Sequence, residues 1–237
     1  MSKITAKNAT VLINGYHLST YAMSYEAESS VDPIDATGFR DGSKNFVPGL
    51  STAKISADMM WDLEVGKVHT ALGALGTGLV TIIPETYVIG TPSISMPYMQ
   101  ATYTPQGETS SLLKIGNVSL ESYGNNNGIE YGKTLFSGIV TDEFDGTAVD
   151  NAAGTSVKYS AILHVYLPAA TDTYEIKVQD SSNNSTWTDL CTFTADGSTL
   201  GAERKVGTTV KQYRRITTTR TGTDDDNFGF TVVLYTI

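Results

Sequence analysis

Apolar and polar positions alternate along most of this chain, the period-two signature of a strand with one buried face. The alternation is cleanest at 52–61, where Ala53, Ile55, Ala57, Met59 and Trp61 interleave with Lys54, Ser56, Asp58 and Met60. Residues 8–14 (NATVLIN) predict a strand and Gly15-Tyr16-His17 a turn. The stretch 18–27 is the expected partner, with Tyr21, Met23 and Tyr25 in alternation. Residues 79–84, 95–104, 111–123 and 135–141 predict further strands, with a turn at Pro105-Gln106-Gly107 and a turn cluster over 123–132. In the last third, 157–167 and 173–180 predict strands, and 207–220 and 228–235 a pair joined over 223–227.

One stretch carries the helical period instead. Val65, Val68, Leu72 and Leu75 recur at steps of three and four, Asp62 is placed to cap them, and Gly76 and Gly78 stop them. That face is expected against a sheet.

Residues 29–51 predict a long irregular loop holding Pro33, Gly38, Gly42, Pro48 and Gly49. Connections of this length inside compact domains are uncommon and are usually interaction segments. Ile34, Phe39, Phe46, Val47 and Leu50 punctuate it. Five such side chains cannot bury against their own short segment, so a second copy of the chain is the expected cover.

Small polar residues at 146–155 (GTAVDNAAGT) mark the expected linker between domains at 1–145 and 156–237. The fold class is mainly β: a sandwich or barrel with one flanking helix and a long loop, then a second β-sandwich.

Composition sharpens this. With 237 residues, 40% hydrophobic and 17% charged, the chain holds a sizeable core, which excludes disorder. Of the formal charge of −9, residues 1–150 supply most, with 16 acidic against 8 basic side chains, whereas 151–237 carry 9 against 8. An acidic first half excludes gripping nucleic acid by its phosphates, which needs clustered Lys and Arg. Cys191 stands alone, so neither an intrachain disulfide nor a thiolate metal cage can form. The opening MSKITAKNAT lacks the apolar centre of a signal peptide, and no apolar run reaches membrane-spanning length. The expectation is assembly in a cytoplasm without membrane insertion.

Candidate chemistry is thin. His17, His69 and His164 have no second His or Cys at ligand spacing, so no metal is expected. There is no G-x-S-x-G elbow, and the glycines at 73, 76 and 78 follow the helix instead of opening it, so no helix N-terminus faces a phosphate. Asp224-Asp225-Asp226 suits a solvated hairpin tip better than a calcium site. Lys211, Arg214, Arg215 and Arg220 alternate with Tyr213 and Ile216, as on a charged sheet face. Trp187, near Leu190 and Phe193, is expected in the core. No enzyme and no cofactor are expected.

The run DATGFRD…PGL…ISADMMWD is the most specific stretch, and with NATVLINGYHLSTY, EVGKVHTALGAL and GIEYGKTLFSG it resembles the tail tube (major tail) proteins of long-tailed bacteriophages. Residues 156–237 resemble a domain found behind that core, on TYEIKVQDSSNNSTWTDLCTFT and ERKVGTTVKQYRRI; Cys191 and the DDDN turn stand outside the pattern. The resemblance implies a tail-tube-type β-core in hexameric rings, stacked into a hollow tube that conducts DNA, with the second domain outside. It makes Ile34, Phe39, Phe46, Val47 and Leu50 anchors of a loop reaching adjacent rings. It makes Glu26, Glu28, Asp58, Glu121 and Glu130 candidates for the acidic channel wall. The implied partners are further copies of the chain, a tape-measure protein in the lumen during assembly, and the tail terminator and distal tail proteins. Genomic DNA would pass without specific binding, and the protein would reside in the virion tail. The alternative is a carbohydrate- or surface-binding sandwich, for which Trp187 is the one aromatic platform.

Overall fold

The structure is a computed structural model describing residues 8–40, 42–85, 88–107, 113–124, 128–152, 158–223 and 226–236. It is mainly β, as the alternation predicts, with sixteen strands and one short helix among the described residues.

Strand β1 (Thr10–Ile13) turns at once into β2 (Tyr16–His17). The two turn residues, Asn14 (φ 49°) and Gly15 (φ 85°), both take the left-handed conformation that suits a tight hairpin. The turn thus lies one residue earlier than expected, and of 18–27 only Leu18 pairs with β1, its N donating to Val11 O (2.9 Å). Instead β3 (Ala22–Asp35) pairs along its length with β4 (Phe46–Met60). The expected irregular loop is therefore largely the outer half of a long β-ribbon, whose two strands run to Asp35 and from Phe46. Ala36 N donates to Asn45 O there (2.8 Å), and the Asp35 carboxylate accepts from Thr37 N (2.9 Å).

Helix α1 (Val68–Leu72) is one turn, much shorter than the spacing predicts. Gly66 at φ 82° and Lys67 in extended conformation break the chain just before it. Val68 and Leu72 are buried as expected, but Val65 and Leu75 stay exposed. Next come β5 (Thr77–Ile83), β6 (Pro92–Gln106), β7 (Lys114–Ser122) and β8 (Glu130–Val140). The long β6 is the spine: β5 lines one edge, while β8 and then β7 share the other. A first core gathers Val11, Ile13, Leu18, Ile55, Met59, Val80, Met96, Tyr98, Val118 and Leu120 beneath α1.

Two short strands, β9 (Phe144–Asp145) and β10 (Val149–Asp150), precede β11 (Tyr159–Leu167), β12 (Thr173–Ser181), β13 (Thr188–Thr192), β14 (Gly201–Gly207), β15 (Tyr213–Thr221) and β16 (Phe228–Thr236). The expected hairpin between β15 and β16 does not form. β16 inserts between β8 and β11, whereas β15 pairs β12, β9 and β10 in a separate sheet. The two sheets enclose a second core with Tyr174 stacked on Phe228 (4.5 Å between ring centres).

This sandwich draws strands from both sides of 146–155. Leu135 of β8 sits in the second core, and Val149 of β10, inside the expected linker, is buried there too. One continuous sheet crosses the chain, in the order β14-β11-β16-β8-β6-β5-β1-β2. A small apolar cluster bridges the halves, with Leu79 and Ile83 of β5 against Ile162 of β11 and Val233 of β16.

Candidate assembly surface

The β3–β4 ribbon has two regimes. Near its base, Ala53, Ile55, Ala57 and Met59 point into the first core, with Tyr25 and Ala27 packed against it from β3. Strand alternation sends the intervening positions to the opposite face. In register there, Glu28 lies beside Lys54 and Lys54 beside Glu121, while Glu26 lies beside Ser56. Asp58 shares that face, its carboxylate accepting from Asn117 N (2.9 Å) and Ser24 Oγ (3.3 Å). Four of the five acidic channel-wall candidates, Glu26, Glu28, Asp58 and Glu121, are thus brought onto one exposed face of β3–β4–β7.

Glu130 is not among them. It is only 3% exposed and pairs with Arg204 of β14. Its strand begins earlier than the turn-like composition of 123–132 suggests, and at that position the side chain is aimed into the joint between the halves.

Beyond Ala53 the ribbon leaves the body of the protein, and both its faces meet solvent. Ile34 and Val47 are direct cross-strand neighbours, 54% and 43% exposed, and Phe46 (52%) lies opposite Asp35. Leu50 (80%) and Phe39 (113%) are barer still. All five apolar anchor candidates therefore sit on one two-stranded projection that no other part of the described chain covers. A lone two-stranded hairpin is marginally stable in water, and exposed apolar clusters of this kind mark interaction surfaces.

Two strand edges lie open on the same unit. β3 pairs with β4 alone among the described residues, leaving its outer edge free apart from Pro33, which has no N–H to offer. β6 runs past its last β5 partner, Met99; Gln100 N still donates to Gly76 O (2.9 Å), and the six residues beyond it pair only with β7. Open edges of this length are templates for pairing with another chain.

The remaining candidates have structural roles. His164 is fully buried, its Nδ1 accepting from Gly15 N (3.2 Å) and its Nε2 donating to Thr81 Oγ1 (3.0 Å); burial pushes its pKa down to about 3. Burial also lowers the pKa of His17, which lies against Tyr166. His69 bonds the Tyr103 hydroxyl (2.7 Å). Asp226 accepts from Thr171 N (2.6 Å) and Asp172 N (3.2 Å), so it clamps a loop, while Asp224 and Asp225 lie outside the described residues. No cluster able to hold a metal occurs among the described residues.

Carboxylates absorb much of the basic cluster. Lys211 pairs with Asp180 (2.8 Å), Arg215 with Asp145 (3.0 Å), and Arg220 with Asp142 (3.6 Å) and Asp172 (3.7 Å), while Arg214 is buried. Trp187 is half-buried just before β13 instead of in the core, with the Arg215 guanidinium 4.6 Å above its ring. That cation covers one face of the ring a sugar would use.

No protein-family model and no curated protein matches the chain. Solved structures similar to it include a chain of the virion of a native gene transfer agent particle, at 9% identity over 54% of this chain and 98% of that one, TM-score 0.43. Another comes from the tail of an empty gene transfer agent particle refined with helical C6 symmetry, at 12% identity over 55% and 98%, TM-score 0.40. A third is the SPP1 Dit protein, described as a paradigm of the hub adsorption apparatus of phages infecting Gram-positive hosts. It is 13% identical over 97% of this chain and 99% of that one, TM-score 0.37.

Proposed function

We propose that this chain is a structural subunit of a phage tail, built to assemble with itself into stacked rings forming the tail tube. The observation that carries the reading is the β3–β4 ribbon: five large apolar side chains on a projection its own chain leaves bare. A few such anchors usually dominate the energy of an interface.

The open edges supply a lateral mode of growth. β3 and the far end of β6 bound one four-stranded sheet, β3-β4-β7-β6, so copies joined edge to edge close into a ring. The face bearing Glu26, Glu28, Asp58 and Glu121 then forms the inner wall. Its like charge repels a passing DNA backbone over roughly 8 Å at physiological salt. Hexameric rings, a tape-measure protein in the lumen during assembly, and terminator and distal tail proteins at the two ends complete this reading. The outer sandwich lies on the far side of the tube from the acidic wall.

The test is assembly. Purified chain, concentrated and imaged by negative stain, should give rings or tubes that sediment far above the monomer. Replacing Phe39 and Phe46 with Ser should leave a folded monomer that no longer polymerises. A wild-type chain that remains monomeric at high concentration, or normal tubes from the double variant, would count against the proposal.

A further inference from the structure

A projection can build an open stack only if the same chain offers a seat of different shape, because head-to-tail contact joins two unlike patches. β4 gives the direction of that stack. Its first residue, Phe46, belongs to the bare ribbon, and its last, Met60, runs straight into 61–67. The 15 residues of the strand separate these ends by about 50 Å.

A second uncovered apolar patch lies at the far end. Trp61 N donates to Leu113 O (3.0 Å), bringing Leu113 beside the segment that carries Leu63 and Val65. Leu63, Val65 and Leu113 are 63%, 93% and 48% exposed. The segment is pinned in place. Asp62 Oδ1 accepts from Glu64 N (2.9 Å), Asp62 O from His69 N (3.1 Å), and Glu64 O from Lys67 N (3.1 Å) and Thr70 Oγ1 (3.2 Å). Bare apolar side chains on a fixed backbone lose little freedom when covered, which favours binding.

Charge does not oppose the contact. The seat end carries Asp62 and Glu64 with Lys67 and Lys114, and the ribbon end carries Asp35 and Asp41 with Arg40 and Lys44, so each patch is formally neutral and the apolar side chains decide the pairing.

We infer that Leu63, Val65 and Leu113 form the seat for the ribbon tip of the next copy along the stack, with Phe39 as the inserting side chain. This rests on the tube-subunit reading. It adds which surface receives the ribbon, and it makes the axial contact an opposite-ended one along β4.

Cross-linking in the full chain tests it. With Cys191→Ala as background, Phe39→Cys and Val65→Cys are combined and assembled protein is exposed to a mild oxidant. The expected result is a ladder of covalently linked copies, absent when Val65→Cys is replaced by Val206→Cys, another exposed position, on β14. In parallel, Val65→Asp should raise the concentration needed for polymerisation on the order of ten-fold or more without changing the far-ultraviolet circular dichroism of the monomer. Tubes that form without the 39–65 cross-link, or Val65→Asp polymerising like wild type, would overturn the seat while leaving the tube intact. An unsubstituted chain that never polymerises would overturn the tube-subunit reading and the seat with it.

Discussion

Acidifying a solution of this protein should loosen the joint between its two halves through His164. The imidazole sits in that joint on β11, accepting from the Gly15 N–H at one nitrogen and donating to Thr81 at the other; Thr81 and Ser95 hydroxyls then bond at 3.0 Å. Every position around the ring suits the neutral form, and burial lowers the pKa from 6.5 to about 3. The unfolded chain takes up a proton below its ordinary value and the folded chain refuses it. The group is therefore neutral in both states well above pH 6.5 and has no effect there, while its penalty grows as pH falls through 6.5 towards 3. At about 1.36 kcal/mol per unit, the loss reaches about 2 kcal/mol by about pH 5.

His164→Gln isolates that loss. The variant should be less stable near neutrality by about 1–3 kcal/mol, because glutamine cannot reach both partners of the ring. It should, however, lack the His164 share of the acid sensitivity. Urea midpoints followed by tryptophan fluorescence, for both proteins at about pH 7.5 and about pH 5, give the comparison. Carboxylates and His17 act alike in both proteins and cancel. If the two proteins lose equal stability on acidification, or if the His164 ring titrates near 6.5 in the folded state by NMR, the argument fails.

Gly15→Ala places a methyl 2.5 Å from Gly201 N and 2.6 Å from Val165 O, in a residue at φ 85°, so it should cost about 2–4 kcal/mol by thermal or urea unfolding. Arg204→Met leaves the Glu130 carboxylate buried and unpaired, and should destabilise by about 3–5 kcal/mol. Adding Glu130→Gln to that variant should recover part of the loss, which a double-mutant cycle on urea midpoints measures.

Most strands were legible because one face of each is buried, and burial writes the alternation. β6 and β12 fall close to their expected bounds for that reason, as does the inner end of β4, while β11 and β16, buried on both faces, stand out as apolar runs. Where partners come from afar, local pattern misleads. β15 and β16 look like neighbours across an acidic turn, yet they belong to opposite sheets, because β16 is captured by β8 and β11. β14 went unread because Glu203, Arg204 and Lys205 hide its period; their charges are met by Lys205, Glu130 and Glu203 in the fold. In sequence the ribbon looks like a loop, since neither face of its outer half is buried and nothing imposes alternation on it. Its symmetric prolines, Pro33 opposite Pro48, were the available clue. The acidic face was partly readable, as Glu26, Glu28 and Asp58 hold even positions on strands whose odd positions are apolar. Glu130 escaped because its opposite charge lies 74 residues away.

The continuous sheet has a mechanical consequence. β8 is bonded to β6 on one side and to β16 on the other, so a tug on the sandwich around the second core is resisted by parallel rows of amide bonds loaded sideways, not by a hinge. Force applied to that sandwich would therefore reach the first core through paired strands, with no slack between them.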